Sequence, residues 1–284
     1  MPQRSRPPFA IFFRADFISW RVTKSDTKQS KSVAIITGAS QGIGQATAIR
    51  LARDFSALVL VARNRANLEQ TAEAVRTAGA EALVIDVDLS QPSAAQAVVD
   101  GAMAAYGRID ALLNIAGAVP QIDLFEMTDQ QWEDGLALKL HGARRLTIAA
   151  WPALKDAKGS VVLISGNSAL FPKAPYAAVG TINAAIVALA KAFSDRGIAD
   201  GVQVNSVLPG PVMTGRRRSY LQHWAPLHGM TVEEATAGFP KEAGIARYGE
   251  PEEIAELMAF LISPSAKWMT GSALRMDGGE VKSV

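Results

Sequence analysis

The chain has 284 residues, 49% hydrophobic and 20% charged, which is enough apolar content for a full core and excludes a disordered chain. A formal net charge of +2 leaves no electrostatic footprint for nucleic acid or a membrane surface as partner. Cysteine is absent, which excludes disulfides, thiolate metal sites and a cysteine nucleophile, and fits a cytoplasmic setting.

Residues 1–31 carry Arg4, Arg6, Arg14, Arg21, Lys24, Lys28 and Lys31 against Asp16 and Asp26. This extension reads as a basic targeting leader, a disordered tail, or the product of a start codon set too far upstream. Its apolar run Phe9–Phe13 is too short for a secretory signal. No apolar run in the sequence approaches the roughly 20 residues of a membrane-spanning helix.

From Ser32 onward, short β-branched runs alternate with longer alanine-rich segments. Strands are predicted at Val33–Ile36, Ala57–Val61, Ala82–Ile85, Ala111–Asn114, Ser160–Ile164, Val202–Val207 and Ala273–Met276. Between them, Gly44–Arg53, Ala66–Ala78, Ser93–Tyr106, Leu136–Ala150 and Thr181–Phe193 place apolar residues at helical spacing. Near-continuous apolar strands separated by helices imply an α/β fold with a parallel sheet covered on both faces. With no linker and no repeat in view, residues 32–284 are expected to form one domain.

The first strand runs directly into Thr37-Gly38-Ala-Ser40-Gln41-Gly42-Ile43-Gly44, followed by a helical segment. Glycines at this spacing permit a tight turn and a close backbone approach. A pyrophosphate can then rest against free N–H groups at a helix N-terminus.

This Thr-Gly-x-x-x-Gly-x-Gly pattern resembles the signature of the short-chain dehydrogenase/reductase family. Further segments resemble that family in order: Asp88-Leu89, Asn114-Ile-Ala116-Gly117, Pro209-Gly210-Pro-Val212-Met-Thr214, Arg247 to Ile254, and Asp277-Gly-Gly279. The resemblance spans about nine-tenths of the chain. It implies a three-layer, doubly wound Rossmann fold with a mainly seven-stranded parallel sheet. It also implies cofactor contacts at Gly38, Ser40, Gln41, Gly42, Ile43, Gly44, Asp88, Leu89, Asn114, Ala116, Gly117, Pro209, Gly210, Val212 and Thr214.

The second strand ends Val61-Ala62-Arg63-Asn64, without the acidic residue that accepts hydrogen bonds from the ribose 2′-hydroxyl of NAD. Arg63 instead suits a 2′-phosphate, so NADP(H) is expected over NAD(H).

The family's serine, tyrosine, lysine and asparagine are all displaced. Tyr176 is followed four residues later by Gly180 rather than lysine. The run Asn183-Ala-Ala-Ile to Lys191-Ala-Phe193 overlays the family helix without a gap. It puts Asn183 at the lysine position, Val179 at the tyrosine position and Gly166 at the serine position. The asparagine position falls on Lys139 of Lys139-Leu-His-Gly142.

Two readings stay open. In the first the site is rebuilt: Tyr176, almost one turn before Val179, donates the proton, and Lys139 supplies the cation that favours a phenolate. Ser165, Asn167 or Ser168 holds the carbonyl, with Ser165 the first candidate. The chain is then an oxidoreductase interconverting a carbonyl and an alcohol on a small, apolar substrate. In the second the chain binds NADP(H) without hydride chemistry, as a sensor or an inactive oligomer partner.

No metal site is expected, because His141, His223 and His228 lack ligand spacing. The absence of a Gly-x-Ser-x-Gly elbow argues against a serine hydrolase. The stretch 214–246 reads as irregular and, by the resemblance, as a substrate lid. Arg216-Arg217-Arg218 at its start reads as a solvated face or as a partner for anions. The alanine-rich helices Leu136–Ala150 and Ala177–Phe193 suit a homo-oligomer, a dimer or a tetramer.

Overall fold

The computed structural model describes residues 32–283, so the expectations placed on residues 1–31 lie outside the described residues. Among the described residues the strands are β1 (Val33–Thr37), β2 (Ala57–Ala62), β3 (Glu81–Asp86), β4 (Ala111–Asn114), β5 (Ser160–Ile164), β6 (Gln203–Pro209) and β7 (Ala273–Met276). They form one sheet in the order β3-β2-β1-β4-β5-β6-β7, and every pairing is parallel. The doubly wound α/β fold read from the sequence is therefore present.

Helices α1 (Gly42–Leu51), α2 (Arg65–Thr77), α3 (Ala94–Tyr106), α4 (Asp129–Gly135), α5 (Ala143–Ala157), α6 (Ala177–Asp200), α7 (Gly215–Leu227), α8 (Val232–Ala243) and α9 (Pro251–Leu261) complete the chain. Successive strand residues face opposite sides, and the core divides accordingly. Val33 and Ile35 of β1 pack with α3, α5 and α6, whereas Ala34 and Ile36 pack with α1, α2 and α9.

Strand β1 is flanked by β2 on one side and β4 on the other, so the chain reverses direction across the sheet at that point. The C-terminal ends of β1 and β4 open into a crevice there, the usual ligand position in such sheets. Thr37 fixes its floor. Its buried Oγ1 accepts from the Ile115 and Ala116 amides at 2.8 and 2.9 Å and donates to the Leu113 carbonyl at 3.3 Å.

Three elements differ from the sequence reading. The stretch 214–246 is helical rather than irregular. Thr214 and Thr231 cap α7 and α8, and Thr231 forms a capping box with Glu234. Pro226 and Pro240 inside those helices hide the helical period in the sequence. Helix α6 continues to Asp200, whose carboxylate is held by Trp151, Lys155 and Arg196. By length and composition, residues 174–200 could also cross a membrane, contrary to the expectation that no run approaches that length; here they pack against β5 and β6. Finally, the predicted helix at Leu136 opens as a π-helical segment, Leu136–Gly142, between α4 and α5.

Thr37→Val should remove the acceptor shared by two amides and cost about 2 kcal/mol. Urea denaturation of the full chain checks this, and an unchanged midpoint would show that the threonine hydroxyl does not brace β1 against β4.

Candidate active site

A cleft of about 1150 Å³ lies over the crevice between β1 and β4. At one end the turn Gly38–Gly44 is wound tightly enough to demand its glycines. Gly38 and Gly42 have φ of +68° and +57°, and a Cβ on Gly44 would lie 2.1 Å from the Gly38 carbonyl oxygen. Gln41, the residue before α1, makes no side-chain capping bond, so the amides of the first turn stay free toward the cleft. The opening is therefore shaped for close approach of a phosphate group to backbone N–H groups.

The sequence-predicted contacts mostly converge on this cleft. Gly38, Ser40, Gln41, Gly42, Ile43 and Gly44 line it, as do Leu89, Ala116, Gly117, Pro209, Gly210 and Thr214. Arg63 is exposed on its wall and forms no ion pair among the described residues. Asp88, Asn114 and Val212 do not line it. Asp88 accepts from the Ser90 amide at 3.0 Å, Asn114 is buried and donates to Thr147 at 3.1 Å, and Val212 pairs through its backbone with Gly249.

At the other end lie Tyr176, Lys139 and Ser165, all lining the cleft. Val179 and Asn183 face the cleft, while a Cβ on Gly180 would lie 2.7 Å from Pro172. Lys139 projects from the π-helical segment, and its stem passes Gly117, where a Cβ would lie 3.0 Å from Lys139 Cδ. Widened π-turns of this kind recur at functional sites.

Lys139 Nζ donates to the Ser165 carbonyl at 3.0 Å and to Asn183 Oδ1 at 2.5 Å. Lys139 and Asn183, which the sequence reading sets at the family's asparagine and lysine positions, thus meet in the cleft. Burial first, and then the nearby Arg216 charge, together push the Lys139 ammonium down to about 8. Asn183 Nδ2 in turn donates to Ser168 Oγ at 2.9 Å. The Ser165 hydroxyl donates to the Asn183 backbone carbonyl at 2.7 Å, so its hydrogen is already engaged. Tyr176 is half-buried, and its hydroxyl makes no hydrogen bond among the described residues.

The model of the family described as enoyl-(acyl carrier protein) reductase matches residues 38–280. The chain belongs to the short-chain dehydrogenase/reductase family. Among relatives of this dehydrogenase/reductase, the short-chain reductase protein NovJ of Streptomyces niveus is 32% identical over 88% of this chain and 94% of its own length. The crystal structure of L-sorbose reductase from Gluconobacter frateurii, complexed with NADPH and L-sorbose, superposes with a TM-score of 0.86. It shares 29% identity, over 90% of this chain and 98% of that one. A variant of actinorhodin polyketide ketoreductase with NADPH gives a TM-score of 0.83 at 30% identity, over 88% and 97% of the two chains.

Sequence reasoning missed several residues of this cleft in the dehydrogenase/reductase fold. Glu280 reaches in from just beyond Asp277-Gly-Gly279 and accepts from Asn167 Nδ2 at 2.5 Å. Arg216 and Arg217 line the cleft, but Arg218 does not. Arg217 lies 5.3 to 5.9 Å from the centroids of Tyr220, Phe239 and Tyr248, a cation–π setting. A proline-interrupted helix carrying three successive arginines gives no sign of which of them turns inward.

The Lys139 ammonium is expected to titrate near pH 8. Arg216→Ala should raise that midpoint, because removing a like charge favours the protonated form. Side-chain ¹⁵N NMR of lysine-labelled protein measures both. A midpoint in the ordinary lysine range would show that the ammonium remains hydrated.

Proposed function

We propose that the chain is an NADPH-dependent reductase interconverting a carbonyl and an alcohol on a small molecule. The observation that carries this reading is the single cleft that joins the phosphate-binding turn and Arg63 at one end to Lys139 and Tyr176 at the other. Family membership and the NADPH complexes of similar structures support it.

The residues present fit the cofactor. The amides of Ser40–Ile43 would hold the pyrophosphate, Arg63 a 2′-phosphate, and Gly117 and Pro209–Thr214 the nicotinamide end. When bound, the nicotinamide supplies hydride chemistry. Tyr176 donates a proton to the substrate oxygen, and Lys139 supplies the positive charge that stabilises the phenolate left behind. Ser165 contributes by holding Lys139 through its carbonyl and Asn183 through its hydroxyl.

Phe171, Val179 and Phe239 offer an apolar wall for the substrate body, with Lys173, Arg216 and Arg217 beside them. Helices α7 and α8 form the proposed lid over that wall. A homo-oligomer built through α5 and α6 would cover Ile148 and Ile198, which are 52% and 72% exposed.

Arg63→Ala should weaken NADPH binding about tenfold while leaving NADH binding unchanged, since only NADPH presents a 2′-phosphate. Calorimetric titration of both cofactors checks this, and equal losses for the two would refute the 2′-phosphate role. For the assembly, light scattering at micromolar concentration should give a dimer or a tetramer. A monomer would remove that proposal.

A further inference from the structure

Neither Val179 nor Gly166 can offer a hydroxyl, although these are the positions at which the short-chain pattern carries its tyrosine and serine. The Ser165 hydroxyl hydrogen is engaged by the Asn183 carbonyl. A different hydroxyl is wired to the ammonium. Lys139 Nζ donates to Asn183 Oδ1, and Asn183 Nδ2 donates to Ser168 Oγ.

A cation on the oxygen of a carboxamide draws electron density from its nitrogen and strengthens the N–H as a donor. A hydroxyl that accepts from that N–H becomes a stronger donor in turn, by the same polarisation along the chain. Ser168 sits at the end of this path in the 3₁₀ turn Asn167–Ala169, packed on α6. It is 8% exposed and lines the cleft, and its hydroxyl hydrogen has no acceptor among the described residues.

Gly166 is the residue that lets this path exist. A Cβ there would lie 2.5 Å from Asn183 Nδ2, so the carboxamide occupies the space a serine side chain would need. A side chain at position 166 and the carboxamide at position 183 therefore compete for one space.

We propose that Ser168 is the hydroxyl that binds the substrate carbonyl oxygen, with Asn183 as a positioning residue that passes the polarisation of Lys139 on to it. This rests on the reductase reading above. Ser168 keeps its proton throughout. It donates one hydrogen bond to an oxygen that gains negative charge as hydride reaches the carbonyl carbon, and a preorganised donor favours that change most in a site poor in water. Arg216 is the charged group that acts on Lys139, and Glu280 lies on Asn167 beside Ser168. Lys173, Arg217 and Glu242 line the same cleft.

The test follows NADPH oxidation by the full chain with a panel of aliphatic, alicyclic and aryl ketones. Ser168→Ala should lower kcat about 100-fold with NADPH affinity unchanged, and Ser168→Thr, which keeps the hydroxyl, should restore most of it. The parent rate should fall as pH rises through about 8, where Lys139 loses its proton. Asn183→Leu should lower the rate, and adding Ser168→Ala to it should lower the rate little further, since the two act along one path. In the cofactor-free chain, the Asn183 side-chain amide signals should shift with Lys139 ionisation and move again in Ser168→Ala. Amide signals indifferent to pH across that range overturn the relay. A Ser168→Ala rate within twofold of the parent overturns the assignment while leaving the reductase reading intact. A parent chain that binds NADPH yet oxidises it with no ketone overturns the reductase reading, and the role of Ser168 with it.

Discussion

An ammonium drawn away from water keeps its charge only where acceptors replace the water it loses, and the penalty otherwise reaches several kcal/mol. Lys139 finds the Ser165 carbonyl and Asn183 Oδ1, and much of the site follows from that requirement. The lysine stem needs Gly117 beneath it, and the Asn183 carboxamide needs Gly166 beside it. The depressed ionisation of Lys139 is the remaining cost, since two neutral acceptors compensate the lost hydration only in part.

The frame that presents this pair is generic to the fold. Strand β4 lies between β1 and β5, so the phosphate-binding turn after β1 and the residues after β5 open onto one crevice. The Thr37 hydroxyl locks the ends of β1 and β4 together, which sets the distance between the two ends of the cleft. The local sequence of the site could change because its position depends on the sheet.

Much of this frame is legible in the amino-acid sequence. Strands β1, β2, β4 and β5 are runs rich in Val, Ile, Leu and Ala buried on both faces, and such runs reveal themselves without reference to tertiary contacts. The glycine turn is equally plain, because its steric demand leaves few alternatives to glycine. Helices α7 and α8 are obscured by internal prolines and an uninterrupted arginine run, although the capping box Thr231 to Glu234 marks where α8 begins. In the site, Lys139 and Asn183 stand out in the sequence as two separate expectations. That Lys139 and Asn183 touch, across 44 positions of sequence, depends on a π-helical turn that periodicity cannot forecast. The engagement of the Ser165 hydroxyl by the Asn183 carbonyl is likewise a matter of three-dimensional reach.

The tight fit between Gly166 and Asn183 also governs the routes by which this sequence can change. A serine introduced at position 166 alone makes the end of the Asn183 carboxamide shift from its place beside Lys139, and a lysine at 183 alone would set a second ammonium against Lys139. Each of these two changes carries a penalty while Lys139 and its partner stay as they are. The cost of either substitution therefore depends on the residues beside it, so positions 139, 166 and 183 constrain one another as the sequence varies.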